Sequence, residues 1–205
     1  MKKIGIMGGT FDPIHFGHLF LAENAYEQIG LDLVLFMPSQ NPPHKAKPEG
    51  VTASQRAEMV SIAIKDNPHF ELSTMELDRE GTTYTADTLT ILTRENPNCE
   101  YYFIIGADSL FMMHKWWEPQ IIFDHCTIIA AGRDNVETEK MELQVSHLKE
   151  QYNAKIILID MPTIGIASKQ IRNRIASNKT TKYYLTDEVN TYIAERGLYR
   201  SEQGL

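Results

Sequence analysis

The sequence of 205 residues contains only two cysteines, no long apolar run and no excess of positive charge. Cys99 and Cys126 stand apart without C-x-x-C spacing, so we expect reduced thiols and neither a disulfide framework nor a structural zinc site. No stretch of roughly eighteen apolar residues and no charged-then-apolar leader is present, which predicts a cytoplasmic protein without a membrane span. The net charge of -7 argues against broad binding to nucleic acid. Any site for an anion must therefore be built from a few local cations.

What is present suits a single α/β domain over residues 1–205. Short apolar runs alternate with helical patterns along the chain, which predicts a Rossmann-like, doubly wound, mostly parallel sheet flanked by helices, with a small C-terminal helical segment. Strands are predicted at 3–7, 33–37, 70–73, 101–105, 127–131 and 155–159. Helices are predicted at 17–29, 53–67, 86–96, 138–151, 169–177 and 187–196. In such a sheet, ligands bind beyond the carboxyl ends of the strands, where strand order reverses.

The start of the chain predicts an anion-binding loop. An apolar strand at 3–7 is followed by Gly8 and Gly9, which suit a tight turn, and then by Asp12 and Pro13, which suit a helix cap and first turn. Glycine lets backbone N–H groups approach an anion closely, and a helix N-terminus adds a positive partial charge. Strand, turn and helix entry therefore follow one another in the order that a phosphate site requires.

Two histidines follow this loop. His15 and His18 are three residues apart, so near a helix start they share one face, and Gly17 between them leaves that face uncrowded. Imidazole can donate to phosphate oxygens, and a neighbouring phosphate favours its protonated form near neutral pH. Taken singly, a Gly-Gly pair is more often a plain turn, and a helical histidine is more often a packed or surface residue.

The combination of these residues resembles a known signature. The run GGTFDPIHFGH at 8–18 resembles the nucleotidyltransferase superfamily, whose H-x-G-H element is shared with class I aminoacyl-tRNA synthetases. Together with four later segments, it is similar to the bacterial nicotinate-nucleotide adenylyltransferases over nearly the whole chain. Those segments are PSQNPPHK (38–45), GTTYTADTL (81–89), IIGADS with KWW (104–117) and IASKQIR (166–172).

The resemblance implies adenylyl transfer from ATP to nicotinate mononucleotide, giving nicotinate adenine dinucleotide and pyrophosphate. In such a transfer the acceptor phosphate is the nucleophile, so the protein needs only to place the reactants and neutralise charge. No carboxylate cluster demands a protein-built metal cage, so Mg²⁺ is expected to bind mainly through the ATP phosphates. Two alternatives stay open: a transferase of the same fold for phosphopantetheine or another mononucleotide, and a nucleotide-binding regulator without turnover. A homo-oligomer is also left open.

The resemblance also implies which residues meet each substrate. The implied ATP-binding residues are Gly8, Gly9, Thr10, Phe11, His15, His18, Gly106, Ser168, Lys169 and Arg172. The implied residues for nicotinate mononucleotide are Lys45, Tyr84, Thr85, Asp108, Trp116 and Arg133. The implied catalytic residues are His15, His18, Lys45 and Arg172.

The C-terminal motif departs from the family pattern, which is close to I-S-S-T-x-I-R. Ala167 and Lys169 stand where the pattern has serine and threonine. We expect Ser168 to cap the following helix and to offer its first amides to a phosphate, with the guanidinium of Arg172 one turn further on. Lys169 either replaces a hydroxyl donor with a cation or faces water.

The middle motifs predict the acceptor side. Thr85 precedes a helical stretch, so its hydroxyl and the following amides predict a second anion pocket, of a size for a carboxylate. Tyr84 and Trp116 are candidates for contact with a pyridine ring, although one tryptophan of the Trp116-Trp117 pair is expected to be a core anchor. Asp108, just past a strand, is placed to accept hydrogen bonds from ribose, and otherwise suits a turn or cap.

Overall fold

The six predicted strands form one parallel sheet. In this computed structural model, which describes residues 1–40, 50–131, 135–162 and 164–200, the strands are β1 (Lys2–Gly9), β2 (Leu33–Pro38), β3 (Phe70–Leu72), β4 (Cys99–Gly106), β5 (Cys126–Ala131) and β6 (Ile156–Ile159). Their order across the sheet is β3-β2-β1-β4-β5-β6, and each neighbouring pair is parallel. Strand order therefore reverses between β1 and β4, where a doubly wound sheet has its ligand crevice.

Helices cover both faces of this sheet. They are α1 (Phe16–Ile29), α2 (Ala53–Ile64), α3 (Thr85–Glu95), α4 (Ala107–Met112), α5 (Pro119–His125), α6 (Asn135–Tyr152), α7 (Ser168–Ala176) and α8 (Asp187–Glu195), with a short 3-10 helix at Met113–Lys115. The Rossmann-like α/β class and the C-terminal helical segment are confirmed. The sequence pattern missed α4 and α5, because helices of six and seven residues are too short to display a 3.6-residue period.

Two helices begin where their capping residues predict. At the start of α2, the N–H of Gln55 donates to the Thr52 hydroxyl at 3.1 Å, and the N–H of Thr52 donates to the Gln55 side chain at 2.9 Å. At the start of α8, the N–H of Val189 donates to the Thr186 hydroxyl at 3.3 Å. These side chains satisfy amides that no earlier turn of the helix can reach.

The core lies in two layers, one on each face of the sheet. Along β4, Tyr102 and Ile104 pack in one apolar cluster, whereas Tyr101, Phe103 and Ile105 pack in the other. Successive strand side chains point to opposite faces, so a strand covered on both sides needs a continuous apolar run. This double burial explains why the strand signals in the sequence are unbroken.

The loop after β1 differs from its predicted form. Gly8 and Gly9 are the last two strand residues, and the left-handed residue of the turn is Phe11, with φ 47°. The Asp12-Pro13 bond is cis, and α1 begins only at Phe16, so this pair does not cap the helix as predicted. Residues 10–15 therefore form a loop with buried side chains rather than a simple glycine turn, and α1 begins one residue before its predicted start.

The structure bears on the state of the two cysteines and on the question of a membrane-spanning helix. Cys99 is half-buried and Cys126 is buried, and both are free thiols, as expected. Burial raises the pKa of the Cys126 thiol to about 12, so this side chain is protonated and unreactive. Across the part of the chain that the structure describes, no helix is long and apolar enough to cross a membrane.

Gly5 provides a test of how tightly the sheet is packed. A Cβ at this position would lie 2.8 Å from Leu31 Cδ1, 3.1 Å from Ile104 Cδ1 and 3.2 Å from Val34 Cγ2. We therefore expect Gly5→Ala to lower the free energy of unfolding by about 1–2 kcal/mol in chemical denaturation, because the neighbours must shift. Gly165→Ala is the matched control, since a Cβ there meets nothing within 4 Å. Equal stability of the two variants would contradict this account of the packing.

Candidate active site

The glycines that end β1 allow aromatic rings to pack against the strand end. A Cβ at Gly8 would lie 3.2 Å from Phe103 Cζ, and one at Gly9 would lie 3.3 Å from Phe11 Cζ. Neither glycine has a positive φ. Their small size therefore serves close packing beneath the loop, rather than an unusual backbone conformation.

His15 and His18 lie together at the start of α1, as their spacing predicts. Their rings stack with centroids 3.7 Å apart and an interplanar angle of 22°. The backbone N–H of His15 donates to His18 Nδ1 at 3.2 Å, which directs Nε2 of His18 away from its own backbone. The ring of Phe11 meets His18 edge-on, with centroids 5.0 Å apart. The two imidazoles are thus held as a pair.

Gly17 is required by this arrangement. A Cβ at Gly17 would lie 3.0 Å from Nδ1 and 3.1 Å from Cε1 of the His15 ring. Such distances are too short for a carbon atom unless the ring moves. The sequence-based role of Gly17, leaving room on the histidine face, therefore has a specific structural cause.

Burial favours the neutral imidazole of His15 in this structure, whereas the predicted protonated form depends on a neighbouring phosphate. The side chain is 6% exposed, and desolvation lowers its pKa from 6.5 to about 4. Its Nδ1 is buried and has no hydrogen-bond partner among the residues that the structure describes, and the same is true of the Thr10 hydroxyl. Unsatisfied buried polar atoms are rare, so two of them in one loop suggest that a ligand completes their bonding.

The C-terminal motif folds back onto this loop through α7. Arg172 Nη1 donates to the carbonyl of Asp12 at 2.6 Å and lies 3.4 Å from the Asp12 carboxylate. The hydroxyl of Ser168 donates to the carbonyl of Pro13 at 2.9 Å. The N-cap position is Ala167, so the prediction that Ser168 caps α7 is wrong: its hydroxyl joins two segments instead.

Lys169 lies on the exposed side of α7. It lines a shallow groove of about 460 Å³ together with Arg174 and Lys179. Of the two roles that the sequence left open for Lys169, this position favours the solvent-facing one. Ser168 and Arg172 are the residues of the motif that contact the loop after β1.

Three residues of the site escaped the sequence analysis: the buried Asp12 and Arg56, and the half-buried Tyr199. Asp12 is 8% exposed and accepts a hydrogen bond from the Tyr199 hydroxyl at 2.7 Å. Arg56 is 1% exposed and donates to the carbonyls of Thr10 and Ser39. The available signal for Arg56 was a charged residue on the apolar face of a predicted helix, and the signal for Asp12 was hidden by its resemblance to a helix cap.

Burial and the negative charge of Asp12 shift the pKa values of Arg56 and Tyr199. Burial lowers the pKa of Arg56, and the negative charge of Asp12 opposes that shift. Burial also raises the pKa of the Tyr199 hydroxyl far above its usual value, and the charge of Asp12 adds to the effect. Tyr199 therefore stays protonated and donates to a carboxylate that pairs with Arg172 and whose charge also acts on Arg56.

The acceptor-side residues gather near the start of α3, with one rearrangement. Tyr84 is the N-cap residue, so Thr85 is the first helical residue and does not precede the helix as predicted. The ring of Tyr84 lies 5.4 Å from that of Trp117, which is 55% exposed. Trp116 is half-buried and meets Phe103 edge-on, with ring centroids 6.1 Å apart. The exposed aromatic pair is thus Tyr84 with Trp117, and stacking by Trp116 stays a prediction.

Two further predicted residues, Gly106 and Asp108, lie at the end of β4. Gly106 is the last residue of β4 and the N-cap residue of α4, and Asp108 is exposed in the first turn of that helix. Asp108 thus lies at the strand end where the sequence placed it. Lys45 and Arg133 lie outside the described residues, and their roles stay predictions.

Comparison with known proteins identifies the family. Residues 6–174 match the cytidylyltransferase-like family. The chain is 47% identical to a probable nicotinate-nucleotide adenylyltransferase of Lachnoclostridium phytofermentans, over 97% of this chain and 100% of that one. It is 39% identical to the nicotinate-nucleotide adenylyltransferase of Bacillus subtilis, over 98% of this chain and 100% of that one. The chain belongs to the nicotinate-nucleotide adenylyltransferase family.

Solved structures support the fold of this adenylyltransferase family member. The nicotinic acid mononucleotide adenylyltransferase of Plasmodium falciparum, complexed with NaAD, has a TM-score of 0.78 at 21% identity, over 97% of this chain and 98% of that one. A putative nicotinate-nucleotide adenylyltransferase of Vibrio parahaemolyticus has a TM-score of 0.70 at 24% identity, over 98% of this chain and 97% of that one. The Rossmann-like nucleotidyltransferase fold is confirmed.

Membership of the nicotinate-nucleotide adenylyltransferase family implies a divalent metal ion. Within the described ranges, no group of three or more histidine, cysteine, aspartate or glutamate side chains could hold one. The buried carboxylate of Asp12 is occupied by Tyr199 and Arg172. The surrounding groups are imidazoles and guanidinium groups, which suit phosphate oxygens. This donor set fits a metal ion held mainly by the phosphates of a nucleotide.

The neutral state of His15 predicts a loss of stability in acid. The unfolded chain takes up a proton at His15 near pH 6.5, whereas the folded protein resists it until about pH 4. Stability from this group is therefore complete above pH 6.5 and is lost as the pH falls towards 4, by about 3 kcal/mol. We expect His15→Gln to lose less unfolding free energy than the wild type over this range in urea titrations.

The exposed His147 offers the control for that comparison. His147→Gln removes an imidazole from the surface of α6 and should leave the pH dependence of the wild type unchanged. Identical pH dependence in His15→Gln and the wild type would contradict the burial argument.

Proposed function

We propose that this protein transfers the adenylyl group of ATP to nicotinate mononucleotide, releasing pyrophosphate and forming nicotinate adenine dinucleotide. The observation that carries the proposal is the stacked pair His15 and His18 at the crevice between β1 and β4, with Arg172 bound to the same loop. Identity of 39% and 47% to members of the family, over nearly complete chains, supports the same reaction.

The reaction needs no nucleophile from the protein. A phosphate oxygen of the mononucleotide attacks the α-phosphorus of ATP, the bond from that phosphorus to the bridging oxygen breaks, and pyrophosphate leaves with the bonding electrons. Negative charge therefore moves onto the leaving phosphates. Groups that hold those oxygens in the transition state lower the barrier by placement and electrostatic stabilisation.

The loop after β1 and the start of α7 form the proposed ATP side. His18 and Arg172 would stabilise the triphosphate, and neutral His15 would donate one N–H without carrying a full charge. The buried hydroxyl of Thr10 lacks a partner among the described residues, which suits a phosphate or ribose oxygen. The other residues assigned to ATP are Gly8, Gly9, Phe11, Gly106, Ser168 and Lys169, the last as a peripheral cation.

The start of α3 forms the proposed acceptor side. The first amides of the helix, from Thr85 onward, would bind the carboxylate of the pyridine ring, because a helix N-terminus carries a positive partial charge. Tyr84 and one of the two neighbouring tryptophans would cover the ring. Asp108 would bind ribose hydroxyls. The further acceptor residues, Lys45 and Arg133, follow from the family resemblance.

Mg²⁺ is the proposed metal ion, carried by the ATP phosphates. When bound, it would neutralise phosphate charge during the transfer. The protein residues that face those phosphates are cations and hydrogen-bond donors, so they complement the ion rather than coordinate it.

Pyrophosphate release tests the proposal directly. The protein is mixed with ATP, Mg²⁺ and, in separate reactions, nicotinate mononucleotide, nicotinamide mononucleotide and phosphopantetheine. Release with nicotinate mononucleotide, and formation of the dinucleotide, would support the assignment. Release with phosphopantetheine alone would show another transferase of this fold, and ATP binding without release would show a nucleotide-binding regulator.

Replacement of His18 predicts a loss in turnover rather than in acceptor binding. We expect His18→Ala to lower kcat by about 10²-fold or more, because the charge that His18 stabilises grows in the transition state. Steady-state kinetics with both substrates varied would measure this effect. His69→Ala is the matched control, since His69 stacks on Tyr26 just before β3, an edge strand, at the amino ends of the strands and away from the loop after β1. A folded His18→Ala enzyme with unchanged kcat would refute the assigned role.

The acceptor pocket predicts a preference for a carboxylate over an amide. Helix N–H donors suit an acceptor-only anion, whereas the NH₂ of nicotinamide would face other donors. An unmatched buried contact costs about 1–3 kcal/mol, and the lost charge assistance adds to it. We therefore expect at least about 10²-fold higher kcat/KM for nicotinate mononucleotide than for the amide at fixed ATP and Mg²⁺. Equal efficiencies would overturn the assignment of the α3 pocket.

A further inference from the structure

Arg56 is buried beneath the loop that the proposed function assigns to ATP. We propose that it is a positioning residue, which holds the carbonyl of Thr10 so that the next amide, that of Phe11, is aimed at the triphosphate. This inference rests on the proposed function, because it assumes that the loop after β1 binds ATP. It adds a residue on α2 that has no access to the substrate.

Arg56 is a charged residue in a buried position on α2. It lies on α2 at helical spacing from Val60 and Ile64, both buried and apolar, yet it carries a guanidinium with only 1% exposure. Burying a charge costs free energy unless hydrogen bonds and an opposite charge surround it. Here Nη2 donates to the Ser39 carbonyl at 2.8 Å and Nη1 donates to the Thr10 carbonyl, while Asp12 supplies the negative charge.

The two carbonyls that Arg56 binds begin the loops after two neighbouring strands. Thr10 directly follows β1 and Ser39 directly follows β2, and the strand ends pair through Gly9 and Pro38. The N–H of Ser39 also donates to the Gly9 carbonyl at 2.9 Å. One planar guanidinium thus binds the first carbonyl of each loop. Its rigid fork of N–H donors suits two carbonyls at once, a geometry that a lysine ammonium lacks.

Because the peptide unit is planar, fixing the Thr10 carbonyl also fixes the direction of the Phe11 N–H. The carbonyl of one residue and the N–H of the next point in opposite directions across a trans peptide. The Thr10-Phe11 bond is trans, so a Thr10 carbonyl held towards Arg56 directs the Phe11 N–H away from it. The Phe11 ring is itself fixed against His18 and Phe36, with centroids 5.0 Å and 5.9 Å away. The Thr10-Phe11 peptide is therefore held from both sides, by Arg56 at the Thr10 carbonyl and by the packed Phe11 ring.

The charges around the loop also favour the binding of an anion. Arg172 lies 3.4 Å from the carboxylate of Asp12, whose negative charge also acts on the buried Arg56, and Tyr199 is neutral. Two cations and one anion leave a residual positive charge near the phosphate loop, which favours an anionic ligand. Because Arg56 is sealed from solvent, it acts through the loop and not by touching the nucleotide.

The first test is Arg56→Lys, which keeps the charge but loses the fork. We expect the KM for ATP to rise at least about tenfold, since a misplaced donor weakens binding sharply, while the KM for the acceptor changes less than twofold. Val60→Ala is the matched control, because it removes buried volume from the same helix without touching either carbonyl. It should lower the melting temperature and leave the KM for ATP unchanged.

The second test uses the wild-type protein and remains decisive if Arg56→Lys does not fold. The protein labelled with ¹⁵N is titrated with a non-hydrolysable ATP analogue, and the amide resonance of Phe11 is followed. A downfield shift of the Phe11 proton on binding is expected, and a smaller shift is expected in a folded Arg56→Lys protein. A Phe11 resonance that does not move at saturation, or a folded Arg56→Lys enzyme with wild-type KM for ATP, would overturn the inference. Failure of the proposed function would appear separately, as no pyrophosphate release by the wild type.

Discussion

The site depends on one buried carboxylate, that of Asp12. Its partners come from distant parts of the chain: Tyr199 lies 187 residues away and donates at 2.7 Å, and Arg172 lies 160 residues away and reaches both the carbonyl and the carboxylate. A buried charge without partners is strongly unfavourable, so these contacts hold together or fail together. The loop after β1, α7 and the segment after α8 are thereby fixed to one another.

Burial and residue type decide which groups of the site carry charge. Burial lowers the pKa of His15 to about 4, which favours its neutral form in this structure. The permanent positive charge comes from guanidinium groups, which stay protonated, one at the loop surface and one behind it. In the proposed reaction, groups placed in this way before the substrate binds would need little reorganisation when charge moves to the leaving phosphates.

The sequence predicts those features that depend on local patterns. All six strands and the six longer helices lie within three residues of their predicted ends, because each carries a buried apolar run or a helical period. Asp12 was misassigned because Asp-Pro before a helix is typical of a cap, and no local pattern reveals a partner 187 residues away. Arg56 and the pairing of Tyr84 with Trp117 likewise depend on how separate elements meet. Local signals find the elements, whereas the buried polar contacts follow from the assembled fold.

The departure of the C-terminal motif from the family pattern has a physical reading in the same terms. At the N-cap of α7, a serine would accept hydrogen bonds from the first amides of its own helix, and Ala167 has no side-chain acceptor. In the proposed function, those amides would bind a phosphate oxygen instead of a cap. Ser168, one residue later, secures the helix to the loop by donating to Pro13. Under the proposed function, the side chain of Ser168 attaches α7 to the loop while the backbone of α7 would bind the anion, so the hydroxyl missing at position 167 would not weaken the site.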